Sequence, residues 1–187
     1  MTSSVISSDA SDTERARPSR VRRGTALLVT LVAVVVLALA VDQVTKWLIL
    51  NVVMQPPRTI PLAPFLDLVL GLNTGVSFGM FSGTFGDQPM TVVLLTGAIV
   101  AILLVWAWRT DDMLERRGLS LVAGGALGNI VDRWRQGGVT DFLDFHWAGW
   151  HWPTFNMADV AIVLGVSVML FAGLRSPKIK TQAGEAA

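Results

Sequence analysis

Carboxylates and carboxamides gather where apolar stretches of this chain end. Asn129 and Asp132 close the segment Gly124-Gly125-Ala126-Leu127-Gly128-Asn129-Ile130-Val131-Asp132-Arg133. Asp141 and Asp144 lie in Val139-Thr140-Asp141-Phe142-Leu143-Asp144-Phe145, and Asn156 and Asp159 open an apolar run that reaches Leu174. An ionised carboxylate left unpaired in apolar surroundings costs several kcal/mol. One inside a membrane segment therefore reads first as a functional group. Two close carboxylates do not both ionise easily and share a proton. Such a pair can hold a water, take its proton as general base, and protonate a leaving amine as general acid. Asp159, in the first turns of its apolar run, is the carboxylate hardest to explain structurally. Asp141 competes with Asp132 to be its partner, and each also reads as an interfacial residue bonded to backbone or arginine.

Spacing sorts the remaining polar residues. Asn129 and Asp132 share a helix face, and Arg133 follows directly, which favours an ionised, structural Asp132. Asp144 stands an odd number of residues from Asp141, so in an extended segment it points to the opposite face. Asp42 and Lys46 are four apart, an ion-pair spacing on a helix; Lys46 reads equally as a snorkelling interfacial lysine. Asn156 can cap the helix that carries Asp159. Asn73, in Asn73-Thr74-Gly75, reads as a turn residue. His146 and His151, beside Asp144, suggest a metal site only weakly, because Trp147, Trp150 and Trp152 around them read as an interfacial belt. A Ser–Lys dyad of Ser77 and Lys46 lacks any nucleophile motif. Gly124, Gly125 and Gly128 follow no strand; in an apolar helix such residues allow close packing.

The elements that must position these residues are membrane segments. The 187 residues are 52% hydrophobic and only 16% charged, with no cysteine, and mean hydropathy is +0.54. That composition places the chain in the membrane class and excludes disulfides and thiolate chemistry. Apolar spans are expected at Ala26–Leu50, Thr91–Trp108, Gly118–Val131 and Phe155–Leu174. The third is about 14 residues, roughly 21 Å as a helix and too short to cross alone. Residues 1–23 and 175–187 read as disordered tails around a single four-helix domain over 24–174. Arg22-Arg23 ahead of Ala38-Leu39-Ala40 also reads as a cleavable signal peptide, but the apolar run continues past that site to Leu50.

Eleven lysines and arginines fall in the two tails and the segment between spans two and three, against three in the other loops. By the positive-inside rule both termini are cytoplasmic. The polar residues then gather at the outer side. In the 51–90 loop, Phe65–Leu70 reads as a short strand and Val76 to Phe81 as a second, making a small external sheet.

Taken together, these residues resemble the lipoprotein signal peptidases, the type II signal peptidases of bacteria. The resemblance rests on Asp42-Gln43-Val44-Thr45-Lys46-Trp47, Asn73-Thr74-Gly75-Val76-Ser77-Phe78, the Gly124–Arg133 block, Val139-Thr140-Asp141-Phe142 and Phe155-Asn156-Met157-Ala158-Asp159, in that order. It implies four transmembrane helices, a small extracytoplasmic sheet, and an aspartic endopeptidase of the inner membrane. Such an enzyme cuts before the diacylglyceryl-modified cysteine of a prolipoprotein, needs no metal or other cofactor, and is inhibited by globomycin-type cyclic peptides. The resemblance assigns catalysis to Asp141 and Asp159, and support or substrate binding to Asp42, Lys46, Asn73, Asn129, Asp132, Arg133 and Asn156. Family members often carry Ala-Ala where this chain has Val76-Ser77, and the N-terminal tail is longer than in many. The implied partners are prolipoproteins and the bilayer, not nucleic acid.

Two other classes compete. A proton-coupled carrier also uses intramembrane carboxylates, but needs them at successive depths, and the inner halves of these spans are empty of them. An assembly subunit with structural aspartates predicts no turnover.

Overall fold

The computed structural model describes residues 20–74 and 89–175. The strand expected over Val76 to Phe81, Ser77, and most of both expected tails lie outside the described residues. Four long helices are present: α1 (Arg20–Leu48), α2 (Pro89–Arg109), α3 (Met113–Gln136) and α4 (Met157–Arg175). A π-helical turn, Ile49–Val53, prolongs α1. Three helical stretches, Gly24–Val53, Met90–Arg109 and Met157–Arg175, are long and apolar enough to cross a membrane. Their outward faces carry exposed Leu94, Ile99, Ile102, Val163 and Leu170, as a lipid-facing surface requires. α1 runs unbroken through Ala38–Ala40, and Ala38 is buried, so a recognition site there would lie inside packed helix.

The third helix corrects the sequence reading. It has 24 residues rather than 14, roughly 36 Å at 1.5 Å per residue. The charges that argued for a short segment are absorbed by the protein. At one end Asp112 accepts from the N–H groups of Leu114 (2.7 Å) and Glu115 (3.2 Å). Arg116, buried, donates from Nε to the carbonyl of Ala107 (2.9 Å) and from Nη2 to that of Thr110. It thereby meets the carbonyl end of α2, where the helix dipole favours a cation. Gly137, at φ 78°, ends the helix with its N–H on the carbonyl of Arg133, a left-handed stop suited to glycine.

α3 packs against α1, α2 and α4. Two glycines make this possible where it matters most. A Cβ on Gly125 would overlap the carbonyl oxygen of Ala158, and one on Gly128 would overlap the Asp42 carboxylate. The small-residue block therefore brings α1 and α4 to touching distance around α3, as expected from its packing chemistry. Apolar clusters centred on Ala107 with Leu119, and on Val100 with Ala123, fill the bundle.

The sheet is antiparallel in the order β1-β2-β3-β4, with β1 Ile60–Ala63, β2 Leu66–Asn73, β3 Val139–Trp147 and β4 Trp150–His151. It is not confined to the 51–90 loop as the sequence reading had it. Half of its strands come from the segment between α3 and α4. A two-stranded hairpin is marginal by itself, and β3 supplies the exposed edge of β2 with its partner. The register sets Gly71 opposite Asp141 and Asn73 opposite Val139. Ile49, Met54 and Phe142 pack together where the sheet meets the end of α1.

Candidate active site

Strand β3 and the start of α4 are held together by backbone. The N–H groups of Phe142 and Leu143 both donate to the carbonyl of Phe155, at 3.0 and 2.9 Å, and the Phe155 N–H returns to Leu143 (3.0 Å). This clamp sets Asn156 directly against Asp141. Asn156 also begins α4. Its Oδ1 accepts the N–H of Asp159 (3.2 Å), while Asp159 Oδ2 accepts the N–H of Asn156 (3.2 Å). The pair forms a reciprocal capping box. Since Asn156 Oδ1 serves the backbone, its Nδ2 is left to donate to Asp141 Oδ1, at 2.6 Å. One carboxamide thus joins the two candidate aspartates. The sequence reading left Asn156 as either a cap or a contact; it is both.

The other Asp141 oxygen accepts from Asn73 Nδ2 (3.1 Å). Asn73 is therefore not a turn residue. It ends β2, and the sheet register carries its side chain to Asp141. Asp141 itself is 2% exposed and lies on β3, outside the helices. Burial pushes its carboxyl above the usual carboxylate range, against the opposing hydrogen bonds of Asn73 and Asn156. Asp159 is half-buried and opens onto an apolar cavity of about 270 Å³ formed with Trp152, Phe155, Val160, Val163 and Leu164.

A buried ionic cluster backs the pair. Lys46 Nζ lies 2.8 Å from Asp42 Oδ2 and 2.9 Å from Asp132 Oδ2, and it donates to Asn129 Oδ1 at 3.1 Å. Asn129 Nδ2 in turn donates to Asp159 Oδ1 (3.1 Å). Asp42 Oδ1 accepts the N–H of Ala158 (2.9 Å), tying α1 to the first turn of α4. Lys46, 3% exposed, therefore does not snorkel to the interface. It is shared between two carboxylates. The sequence reading passed over Gln43 as a site residue. Its Nε2 bridges Asp132 Oδ1 (3.0 Å), Asp42 Oδ2 (3.2 Å) and the Gly128 carbonyl (3.3 Å). Its position one residue after Asp42 was the available signal.

Asp132 is fully occupied. Besides Lys46 and Gln43, it accepts the N–H of Thr140 (3.1 Å) at the start of β3. It pairs with Lys46 across to α1, a partner the sequence did not suggest beside the adjacent Arg133. Arg133 Nη1 approaches the Asn129 carbonyl (3.4 Å), and the guanidinium lies within electrostatic reach of Asp141, Asp159 and Asp132. Asp132→Asn should therefore lower activity through the fold. Leaving Lys46 with one partner is expected to reduce stability by about 1–3 kcal/mol, read as a lower melting temperature in detergent alongside the loss of turnover. Lost turnover at unchanged melting temperature would make Asp132 a member of the reacting pair instead.

Asp144 points the other way, as its odd spacing from Asp141 predicted. It meets His151 Nδ1 at 2.9 Å, and the cross-strand pair His146–Asp67 lies beside it at 3.4 Å, with the two imidazoles stacked. Among the described residues no three His, Asp or Glu side chains are grouped to hold a metal ion. Asp144→Asn should keep near-wild-type turnover in the same assay that finds Asp141→Asn dead. An inactive, folded Asp144→Asn would mean that the wrong face of β3 has been chosen.

The model of the signal peptidase II family matches residues 34–175. A relative named lipoprotein signal peptidase in Syntrophotalea carbinolica is 42% identical over 149 residues, covering 78% of this chain and 91% of its own. One of the same name in Methylocella silvestris is 40% identical, covering 78% of this chain and 85% of its own. Two solved structures, each described as a bacterial membrane enzyme, share the fold. One has a TM-score of 0.69 at 28% identity, covering 84% of this chain and 94% of its own; the other has 0.66 at 30%, covering 79% and 94%. The matched span begins before Asp42 and ends with α4, so it takes in the bridged aspartates and the whole ionic cluster behind them, and the chain belongs to the signal peptidase II family.

Proposed function

We propose that this chain is a membrane aspartic endopeptidase whose catalytic pair is Asp141 and Asp159. It removes the signal peptide from diacylglyceryl-modified prolipoproteins, cutting before the lipid-modified cysteine. The observation that carries the assignment is the Asn156 bridge. Its side chain donates to Asp141 while its backbone N–H donates to Asp159, so the two carboxyls are presented as one unit.

Asp159 is the more exposed of the two and faces the cavity, where it can meet water. A carboxylate has lone pairs to spare, so Asp159 can still take a proton from water. Asp141, whose burial favours its neutral form, donates the other proton. The water oxygen bonds to the scissile carbonyl carbon, the C–N bond breaks, and the proton from Asp141 goes to the leaving amine. Water's proton then passes from Asp159 to Asp141, which restores the pair for the next cycle. No covalent intermediate and no metal is required by this scheme.

α3 is read as a fourth crossing, giving one four-helix domain in the bacterial inner membrane with both termini cytoplasmic. Asp159 then lies at the outer leaflet, with the sheet over it to exclude bulk water. Trp147, Trp150 and Trp152, all exposed, suit the headgroup layer there. Cyclic peptides of the globomycin type are expected to compete for the site. The test is incubation of purified protein with a lipid-modified precursor and mass measurement of both products. Cleavage on the N-terminal side of the modified cysteine supports the reading, and an intact precursor refutes it.

A further inference from the structure

We propose that Lys46 is a positioning residue that acts through Asn129, fixing which end of the Asn129 carboxamide faces Asp159. The inference rests on the reading of Asp159 as catalytic and adds a role that pairing of buried charges does not explain.

A carboxamide can be turned end for end with little change of shape, exchanging its donor and acceptor. At Asn129 that exchange is blocked. Lys46 Nζ can only donate, and it lies 3.1 Å from Asn129 Oδ1. Asn156 Nδ2 donates to the same oxygen at 3.3 Å. Turned over, Asn129 would set its NH₂ against two donors. Its Nδ2 is therefore forced towards Asp159 Oδ1, 3.1 Å away. The second Asp159 oxygen is held by the Asn156 N–H, so the plane of the carboxylate is fixed from both sides. Asp42 and Asp132 hold the ammonium at this depth, and Asp42 is itself bonded to the first turn of α4. The chain of donors runs one way, from ammonium to carboxamide to carboxylate.

Steady-state kinetics of purified Lys46→Met, Asn129→Leu and the double variant, on a lipid-modified precursor, test this. Each single change should lower kcat about 10- to 100-fold, the size of a lost hydrogen bond to a charged group, with KM unchanged. The double variant should be no slower than the slower single, because Lys46 acts through Asn129. A merely structural lysine predicts multiplying losses, and so would overturn the proposal. If Lys46→Met fails to fold because Asp42 and Asp132 lose their partner, Lys46→Gln decides. Its carboxamide still offers an N–H to a carboxylate, but it can also accept, so it no longer forces the Asn129 oxygen towards itself. It should lower kcat about 10-fold with KM unchanged; wild-type kcat would overturn the proposal. Asp159→Asn separates the two levels. Full activity there sinks the catalytic reading. An inactive Asp159→Asn beside a fully active Lys46→Met or Lys46→Gln sinks only the positioning role.

Discussion

Asp159→Asn and Asp141→Asn should each reduce cleavage of a lipid-modified precursor to background, with the double variant no worse than either. Residues that act as one unit lose their function together, so their effects do not multiply. Asp159→Asn would remove the proposed base while leaving an acceptor for Asn129. Asp141→Asn leaves an amide where a protonated carboxyl stood. The two variants should differ in stability. Burial raises the Asp141 carboxyl, so folding favours its protonated form. Its contribution to stability is complete below the ordinary carboxylate value and is lost as pH rises through the raised one. Asp141→Asn should therefore match or exceed the wild-type melting temperature near neutral pH, and the difference should shrink as pH falls towards 4. A residue kept for catalysis at a cost to stability would behave in this way. Measurable turnover by either single variant, with the other residues intact, would remove it from the pair.

Much of this site was legible in the sequence because its parts are local. The Asn156–Asp159 spacing is a capping box, the Asp42–Lys46 spacing is one helical turn, and the glycines at 124, 125 and 128 announce close packing. What was not legible depends on pairing across long separations. Asn73 looks like a turn residue until β3 is laid beside β2, and nothing local tells a strand end from a turn. The true length of α3 was hidden by its charges, since Arg116 and Asp132 look like segment ends until their partners on α2 and α1 are known. The same gap left Lys46 open between an ion pair with Asp42 and a snorkelling interfacial lysine. Asp132 and Asp141 could not be separated by spacing alone; the Lys46 and Gln43 contacts separate them. Strand periodicity sets Asp141 and Asp144 on opposite faces, which β3 obeys; which of the two belongs with Asp159 came from the family resemblance.

A precursor whose cysteine lacks its diacylglyceryl group is expected to be cut with kcat/KM about 100-fold lower, or less, in the same bilayer. The reason lies beside Asp159. The cavity under it is walled by Trp152, Phe155, Val160, Val163 and Leu164, and apolar walls reward an apolar occupant by roughly 0.8 kcal/mol for each buried methylene. A signal helix alone can slide along the bilayer normal. A lipid attached at the cleavage position fixes the depth of the scissile bond, and binding energy from such a remote group is realised as orientation of the reacting one. Val163→Trp tests the cavity itself. A larger side chain there fills the space, so it should slow the modified precursor while leaving the unmodified one nearly unchanged, drawing the two rates together. Equal rates for the two precursors in the wild-type protein would leave an intramembrane aspartic peptidase with no claim to lipoprotein specificity. A persistent difference that Val163→Trp does not narrow would move the lipid away from this groove and onto another face of the bundle.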